Sequence, residues 1–228
     1  MKKSTLFLIV AVILFVDQAL KIYIKTKYHL GESHDITNWF KLYFVENPGM
    51  AYGWKFGGDW GKMALTIFRL GAVGVGTWYI LKILKEKRHW GFLLAVAMVY
   101  AGAIGNLIDS CFYGLIFDKG MIYDPVLNDY LGYSGLAVFS NNGYSSLLHG
   151  NVVDMLYFPL IRGHFPTWFP IWGGEDFEFF RPIFNIADAS ITSGILIIFL
   201  FQKTFLNNFT KTETVIIENE NTNSSNIL

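Results

Sequence analysis

The sequence predicts an α-helical membrane protein with four transmembrane helices, a small extracytoplasmic β-rich cradle and an inserted outer loop. Only 16% of the 228 residues are charged and 53% are hydrophobic, whereas a soluble domain averages about 25% charged residues. Four apolar runs are each long enough to cross a bilayer, which takes about 20 helical residues. Between the first two runs, aromatic and β-branched residues partly alternate with polar ones and then meet Pro and Gly, as in strands joined by turns.

The four apolar runs define one membrane domain, residues 1–206, followed by a polar tail. Each run contains few charged residues, as a helix surrounded by lipid requires. The runs cover residues 4–24, 63–84, 90–113 and 183–206. Residues 207–228 are rich in Asn, Thr, Ser and Glu, so we expect a disordered tail there.

The first run is also compatible with a cleaved secretory signal peptide, since Lys2 and Lys3 precede it. No small-x-small cleavage site follows this run, and Asp17, Gln18 and Lys21 continue the helix instead. We therefore interpret residues 4–24 as a retained membrane span.

Basic residues predict the direction of the spans, because cytoplasmic loops are enriched in Lys and Arg. They flank the first span, fill the connection between spans two and three, and follow span four: Lys2, Lys3, Lys82, Lys85, Lys87, Arg88, Lys203 and Lys211. This pattern assigns both termini to the cytoplasm and the regions 30–60 and 114–182 to the opposite side. Four lysines near the first outer region run against the rule: Lys25, Lys27, Lys41 and Lys55.

Polar side chains within the spans require a reason, because a charge at the middle of a membrane costs about 2.5–3.5 kcal/mol. At 1.5 Å per residue, Asp17 is about 20 Å and Asn106 about 24 Å from the cytoplasmic side, with Asp109 slightly higher. Asn185 and Asp188 lie in the first two turns of the fourth span, which runs in the opposite direction. These side chains therefore converge on the outer leaflet, which predicts a shared polar site.

Residue spacing leaves structural and functional interpretations open for several of these residues. Asp17 and Lys21 are four residues apart and can pair on one helix face, either as a structural ion pair or as part of a site. Asn185 and Asp188 share a face, although Asn185 is also compatible with a helix cap. Asp154 stands between apolar neighbours, where a carboxylate is costly without a partner.

Two facing carboxylates, Asp154 and Asp188, could hydrolyse an amide bond. In a partly dry site the two groups cannot both ionise easily, so they would share one proton and titrate as a pair. The ionised carboxylate would take a proton from water, and the protonated one would polarise the scissile carbonyl. This chemistry needs no covalent intermediate.

Rival chemistries lack their motifs. The sequence contains no GxSxG elbow, no HExxH and no GxxxxGK[ST] loop. The five histidines are dispersed and Cys111 is the only cysteine, so a metal site is not predicted. The formal net charge of +0 provides no basic field for nucleic acid.

Five short blocks occur in order along residues 17–194. They are Asp17-Gln18-x-x-Lys21, Asn47-x-Gly49-x-Ala51-Tyr52, Gly102-Ala103-x-Gly105-Asn106-x-x-Asp109, Val152-Val153-Asp154-Met155 and Phe184-Asn185-x-Ala187-Asp188-Ala189. Together they resemble the lipoprotein signal peptidases, the type II aspartyl signal peptidases of bacterial inner membranes. Each block alone is a weak signal, and the ordered set is a strong one.

The resemblance implies roles for the residues in these blocks. Asp154 and Asp188 match the catalytic dyad of an aspartic endopeptidase. Asn106, Asp109 and Asn185 would hold the substrate backbone and orient the dyad, while Asp17 and Lys21 would support the architecture of the site. Asn47 and Gly49 would lie in the outer strand region that cradles the substrate, and Ala187 belongs to the block that carries Asp188.

The resemblance also implies a substrate and a location. The enzyme would remove the signal peptide from diacylglyceryl-modified prolipoproteins, cutting before the lipid-modified cysteine at the outer leaflet of the inner membrane. It would be a multi-pass monomer with its active site facing the periplasm, in contact with membrane lipids and inhibited by cyclic peptides of the globomycin type. No cofactor, metal or nucleic acid is expected.

Two features depart from the family pattern. Ser110 stands where the family usually has an Arg that contacts substrate, so we hypothesise that Arg162 or Arg181 supplies that cation. The segments 114–150 and 158–182 are longer than in the family and are interpreted as insertions. The second of them is dense in aromatic residues and proline, which is typical of a membrane interface.

Two alternative functions remain at this stage. The chain could be a non-enzymatic carrier or lipoprotein-binding chaperone, because intramembrane carboxylates also occur in proton relays. The presence of both aspartates and the absence of an inverted repeat count against these alternatives. A presenilin-type protease would need a GxGD motif, which is missing.

Overall fold

The computed structural model describes residues 2–49, 58–86, 88–179 and 181–225. Among the residues discussed above, Ala51, Tyr52, Lys55 and Lys87 lie outside this part of the chain. Long helices and short strands follow one another in the order α1 (Lys3–Lys27), β1 (Ser33–Thr37), β2 (Phe40–Asn47), α2 (Gly58–Ile83), α3 (Trp90–Ile108), a π-helical segment (Asp109–Tyr113), α4 (Gly114–Ile116), β3 (Ile122–Asp124), β4 (Asp129–Leu131), β5 (Val152–Tyr157), β6 (Ile161–His164), β7 (Asp176–Phe179), β8 (Ile183–Phe184) and α5 (Ile186–Ser225).

Four helices in the described residues are long and apolar enough to cross a membrane, which confirms the predicted fold class. They are Lys3–Lys27, Trp60–Ile83, Trp90–Ile116 and Ile186–Leu206. Large apolar side chains such as Phe15, Phe68 and Phe199 are exposed on these helices. Lipid tails are the solvent that makes such exposure favourable.

The chain forms two compact units, each with its own apolar core. The first unit comprises residues 1–15, 69–105 and 187–228 and is helical. Its core is formed by Leu6, Val10, Ile80, Ile83, Leu93, Ala97 and Ala101. The second unit comprises residues 16–68 and 106–186 and contains the strands. Its core is formed by Ile24, Phe44, Tyr113, Phe117, Ala137, Val153, Met155 and Leu156.

A four-stranded antiparallel sheet organises the second unit, with the strand order β1-β2-β5-β8. The predicted strands of the first outer region are therefore present as β1 and β2. The register pairs Val45 with Asp154 and Asn47 with Val152. The carboxyl end of β2 therefore lies beside the amino end of β5. Strand β5 is an interior strand, and nearly all of its residues are buried.

Residues 114–150, interpreted above as an insertion and named so below, carry the β3–β4 hairpin and end against the π-helical segment. The backbone nitrogens of Gly150 and Leu148 donate to the carbonyls of Ser110 (2.8 Å) and Cys111 (3.2 Å), and that of Ser145 donates to Gly114 (2.9 Å). Carbonyls at the end of a helix lack partners within the helix. The insertion therefore completes the hydrogen bonding of the third span.

The insertion 158–182 contains the β6–β7 hairpin. The ring of Phe165 lies 5.1 Å from that of Phe169 and 5.0 Å from that of Phe177, measured between centroids. Trp168 and Ile171 remain 77% and 86% exposed. An exposed aromatic hairpin is compatible with the membrane-interface location expected from the sequence, which stays a prediction.

Small residues let α3 and α5 approach closely in the first unit. A Cβ added to Gly102 would collide with the Ala187 carbonyl, and one added to Gly194 would lie 2.6 Å from the Ala95 carbonyl oxygen. The Ser190 hydroxyl donates to the Met98 carbonyl at 2.8 Å. Close backbone approach through glycine and a crossing hydroxyl bond are typical of helices that associate in lipid.

The carboxyl end of α5 includes most of the region whose composition predicts a disordered tail. The helix continues to Ser225. Once a helix is nucleated, each added residue gains a hydrogen bond without a new nucleation cost, so the apolar part of α5 can extend into polar sequence. The disorder expected of residues 207–228 stays a prediction.

The contact at Gly102 predicts a position-specific loss of stability. Gly102→Ala should lower the free energy of unfolding by about 1–3 kcal/mol, because the new methyl group overpacks the interface with α5. At roughly 2–4 °C per kcal/mol for a chain of this size, thermal unfolding in detergent would detect the change.

Gly74→Ala is the matched control, because nothing lies within 4 Å of a Cβ at that helical position. It should leave the melting temperature unchanged or raise it slightly, since Ala is the better helix former. Equal melting temperatures for the two variants would contradict the packing argument.

Candidate active site

Asp154 is a buried carboxylate on β5 that is held by two side-chain amides. Its Oδ1 accepts a 2.7 Å hydrogen bond from Asn185 Nδ2, and its Oδ2 accepts a 3.4 Å bond from Asn47 Nδ2. The side chain is 4% exposed. Amide N–H groups donate to an ionised carboxylate, so this environment suits an acceptor that takes a proton from a neighbouring molecule.

Gly49 shapes the loop that orients Asn47. The backbone nitrogen of Gly49 donates to Asn47 Oδ1 at 2.9 Å, so the amide nitrogen of Asn47 is directed to Asp154. Gly49 has φ of 103°, a conformation that glycine adopts without a steric cost. A Cβ at this position would also lie 2.6 Å from Leu65 Cδ2. Glycine is therefore required here by both conformation and space.

Lys21 connects three of the predicted site residues. Its ammonium group lies 2.9 Å from Asp17 Oδ2, 2.8 Å from Asp109 Oδ2 and 3.0 Å from Asn106 Oδ1. All four residues are buried. The ammonium has three protons, and each has an acceptor, as a buried cation requires. The Asp17–Lys21 pairing predicted from their spacing is confirmed.

Gln18 and Tyr113 belong to the same network, although sequence analysis did not single them out. Gln18 Nε2 donates to Asp109 Oδ1 at 2.8 Å and to Asp17 Oδ2 at 3.2 Å. The Tyr113 hydroxyl donates to Gln18 Oε1 at 3.1 Å. Gln18 stood inside a quoted block, so its position was a signal, whereas Tyr113 resembled an ordinary aromatic residue of an apolar run.

Two contacts join the Lys21 network to β5. Asn106 Oδ1 accepts from Asn185 Nδ2 at 3.1 Å as well as from Lys21, so Asn185 links Asn106 to Asp154. Asp109 Oδ2 accepts from the backbone nitrogen of Val153 at 3.3 Å. The residue before Asp154 is thus fixed by a carboxylate of the network. The site is a continuous set of hydrogen bonds that joins α1, α3, the π-helical segment, β5 and β2.

Asp109 and Tyr113 lie in the π-helical segment, where both are buried. A π-helix widens one turn, and such turns are frequent at functional sites. Asp109, Ser110, Cys111 and Tyr113 are all buried within it. The Ser110 hydroxyl donates back to the Asn106 carbonyl at 2.8 Å. Position 110 therefore provides no cation, and Ser110 serves the helix backbone.

Asp188 and Ala187 are in the first turn of α5 and belong to the helical unit. Asp188 is half-buried, and Ala187 is fully buried. Asn185, three residues before Asp188 in the chain, immediately precedes α5. The structure thus brings together Asp17, Lys21, Asn47, Asn106, Asp109, Asp154 and Asn185 in one unit, with Gly49 acting through Asn47. The pairing of Asp154 with Asp188 remains a prediction.

The chain is similar to proteins of one known family. The family model described as signal peptidase (SPase) II matches residues 9–204. A lipoprotein signal peptidase of Porphyromonas gingivalis is 42% identical over 191 residues, covering 83% of this chain and 79% of that protein. A lipoprotein signal peptidase of Amoebophilus asiaticus is 34% identical over 192 residues, covering 82% and 73% of the two chains.

A solved structure extends the comparison to the fold. A bacterial membrane enzyme determined by the in meso method at 1.9 Å resolution has a TM-score of 0.54 and 23% identity. The match covers 87% of this chain and 92% of that one. At this identity the likeness concerns the fold alone, which is that of a membrane enzyme. With the family model covering most of the residues, the chain belongs to the signal peptidase II family.

Proposed function

We propose that the protein cleaves diacylglyceryl-modified prolipoproteins with Asp154 and Asp188 as its catalytic carboxylates. As a member of the signal peptidase II family, it is an aspartic peptidase that removes signal peptides from prolipoproteins. The observation that carries the residue assignment is the buried Asp154 carboxylate, held by Asn47 and Asn185. A buried carboxylate with amide donors on both oxygens is prepared to act on a water molecule.

In the proposed reaction the two aspartates share one proton. The ionised carboxylate removes a proton from water as the water oxygen attacks the scissile carbonyl, and the protonated carboxyl donates to the carbonyl oxygen. The resulting tetrahedral diol collapses as the carboxyl that took the water proton gives it to the leaving amide nitrogen, while the other carboxylate takes a proton back from a diol hydroxyl and the carbonyl re-forms. The site ends with both peptide fragments and the same single shared proton, and no covalent enzyme intermediate forms.

The surrounding residues have supporting roles in this proposal. Asn185 orients Asp154 and, with Asn106 and Asp109, holds the substrate backbone. Asp17 and Lys21 maintain the architecture behind these groups, as their contacts with Asn106 and Asp109 support. The carboxyl end of β2, with Asn47 and the following Gly49, cradles the substrate in this proposal. Ala187 keeps Asp188 at the start of α5.

The substrate and topology follow from the same reasoning. Cleavage would fall before the lipid-modified cysteine, at the outer leaflet of a bacterial inner membrane. The distribution of Lys and Arg supports cytoplasmic termini and a periplasmic site. Globomycin-type cyclic peptides would compete with substrate, and a monomer in contact with membrane lipids would suffice, without a cofactor.

Asp154→Asn and Asp188→Asn should each lower turnover by about 10²–10⁴-fold, the usual contribution of an acid–base group. Substrate binding should change little, because the isosteric amide keeps the shape of the side chain. Cleavage of a diacylglyceryl-modified prolipoprotein by the purified protein in detergent measures turnover, with binding measured in parallel.

Asp35→Asn, at an exposed position on β1, is the control and should leave turnover unchanged. Normal turnover in either active-site variant would refute the dyad, and wild-type protein that binds without cutting would favour a binding function.

Asn185→Ala should reduce kcat by about 10- to 100-fold. It removes a hydrogen bond to a charged group, worth about 1.5–3 kcal/mol, and each 1.36 kcal/mol is tenfold in rate. Asn185→Asp should be at least as damaging, because it presents a second carboxylate to Asp154 Oδ1 in place of a donor. Kinetics with the same substrate would check both, and an Asn185→Ala enzyme with wild-type kcat would exclude the orienting role.

Ser110 is uncharged and buried, so it cannot supply the cation that the family usually carries at this position. We expect Arg162 or Arg181 to supply that cation. Replacing the responsible arginine by Ala should raise KM about tenfold, in line with the loss of one charge-assisted hydrogen bond. Replacement by Lys should recover part of the loss. Normal kinetics for Arg162→Ala, Arg181→Ala and the double variant would eliminate this hypothesis.

A further inference from the structure

A second buried ion pair lies in the unit that contains the sheet, and the proposed mechanism does not use it. Lys25, one helical turn after Lys21, pairs with Glu46 on β2, and neither side chain is exposed. Three aromatic rings surround the Lys25 ammonium: those of Phe117, Tyr133 and Tyr144 are 5.1, 5.4 and 5.2 Å from Nζ to the ring centroid. Such rings stabilise a desolvated cation through their negative faces.

The Glu46 carboxylate accepts hydrogen bonds on both oxygens. Oε1 accepts from Lys25 and, at 2.8 Å, from the Tyr133 hydroxyl. Oε2 accepts from the backbone nitrogen of Met121 at 2.8 Å and from Asn151 Nδ2 at 2.7 Å. A buried charge is tolerated only when its hydrogen-bonding capacity is filled in this way.

Apart from Lys25, these donors come from the insertion 114–150 and from Asn151, the residue that leads into β5. Asn151 also donates to the Met121 carbonyl at 2.9 Å, accepts from Lys62 and, through its backbone nitrogen, donates to the Tyr144 hydroxyl at 2.7 Å. Burial raises the pKa of Tyr133 and Tyr144, and the Glu46 charge raises both further, so both hydroxyls stay protonated and that of Tyr133 remains a donor to Glu46. The insertion is therefore attached to the sheet by charge-assisted bonds.

The attachment lies next to both strands that carry the site. Glu46 directly precedes Asn47, which donates to Asp154, and Asn151 directly precedes β5. In the sheet Glu46 is paired with Val153 and Asn47 with Val152. Strands β2 and β5 are paired in the sheet. Glu46 holds β2 through its own contacts, and it holds the start of β5 through its hydrogen bond from Asn151. The 3.4 Å contact between Asn47 and Asp154 depends on this register.

We propose that Glu46 is a positioning residue for the peptidase reaction, and that the insertion 114–150 supplies the partners that let it align Asn47 with Asp154. This inference rests on the proposed function of Asp154. Glu46 is buried and both of its oxygens are occupied by donors of this chain, so it acts on the chemical step through the strand and not on substrate affinity. The insertion is accordingly part of the working enzyme.

The test compares kinetics of the full-length protein in detergent with the diacylglyceryl-modified prolipoprotein substrate. Glu46→Gln leaves the Lys25 ammonium without its counter-charge, so we expect kcat to fall about tenfold or more with KM within about twofold of wild type. The double variant Lys25→Met/Glu46→Gln has no unpaired charge, and its Gln Oε1 can still accept from Met121 and Asn151. It should recover kcat to within about threefold of wild type.

The exposed pair on β1 and β2, Lys41 Nζ to Asp35 Oδ1 at 2.9 Å, provides matched controls. Asp35→Asn and Lys41→Met/Asp35→Asn make the same chemical changes on the same sheet and should leave kcat and KM unchanged. A Glu46→Gln protein with a lower melting temperature but wild-type kcat would overturn the proposal, leaving only a structural role. A rise in KM at constant kcat, or a double variant no better than the single one, would also overturn it.

If Glu46→Gln does not fold, Tyr133→Phe/Tyr144→Phe decides the question. This variant removes two hydroxyls and keeps the ion pair, so kcat should fall about threefold with constant KM. Tyr43→Phe, on β2 with Glu46, is the control and should have no effect. Unchanged kcat in the double tyrosine variant would overturn the proposal. Asp154→Asn is measured alongside: if it still cleaves, the proposed function fails, whereas an inactive Asp154→Asn beside a fully active Glu46→Gln rejects this inference alone.

Discussion

The buried ammonium of Lys21 is the interaction on which the candidate site depends. It lies within 3.0 Å of acceptors on Asp17, Asp109 and Asn106, which come from two different spans. Without it, two carboxylates would be left in an apolar environment, and an uncompensated buried charge costs about 3–5 kcal/mol. Because Asn106 and Asp109 in turn contact Asn185 and Val153, the geometry around Asp154 follows from this one cation.

One face of α1 organises most of the buried polarity in the sheet-containing unit. Asp17, Lys21 and Lys25 are spaced four residues apart, so they line a single face of the helix. Lys21 serves the predicted site residues, and Lys25 serves Glu46. In the described residues every fully buried side-chain nitrogen and oxygen has a hydrogen-bond partner. The helix therefore spans a membrane and also supplies the charges around which the second unit is arranged.

The fold and part of the site could be predicted from the sequence, because the signals were local. The four spans follow from apolar length, and the Asp17–Lys21 pair follows from helical spacing. Glu46 and Asn151 gave no such signal: a Glu in a half-exposed strand is ordinary, and its partners are 21 to 105 residues away in sequence. Tyr113 was hidden for another reason, because an aromatic residue in an apolar run is ordinary and its partner Gln18 lies 95 residues away in sequence. The π-helical turn itself was not predicted either, because helical periodicity assumes 3.6 residues per turn.

The same π-helical turn restricts how the chain can vary in length. Residues 109–113 form a turn that holds one more residue than an α-helical turn would, so removing a single residue there would return the turn to α-helical geometry and change which groups it presents. The carbonyls of Ser110, Cys111 and Gly114, which receive the returning end of the insertion, would then point elsewhere. In related sequences, length changes should therefore be absent between Asp109 and Tyr113, and those in the insertion should fall in the exposed turn 125–128 between β3 and β4, away from the contacts with Glu46. The widened turn makes one short stretch of this membrane helix intolerant of deletion, while the tip of the hairpin beyond it is free to grow or shrink.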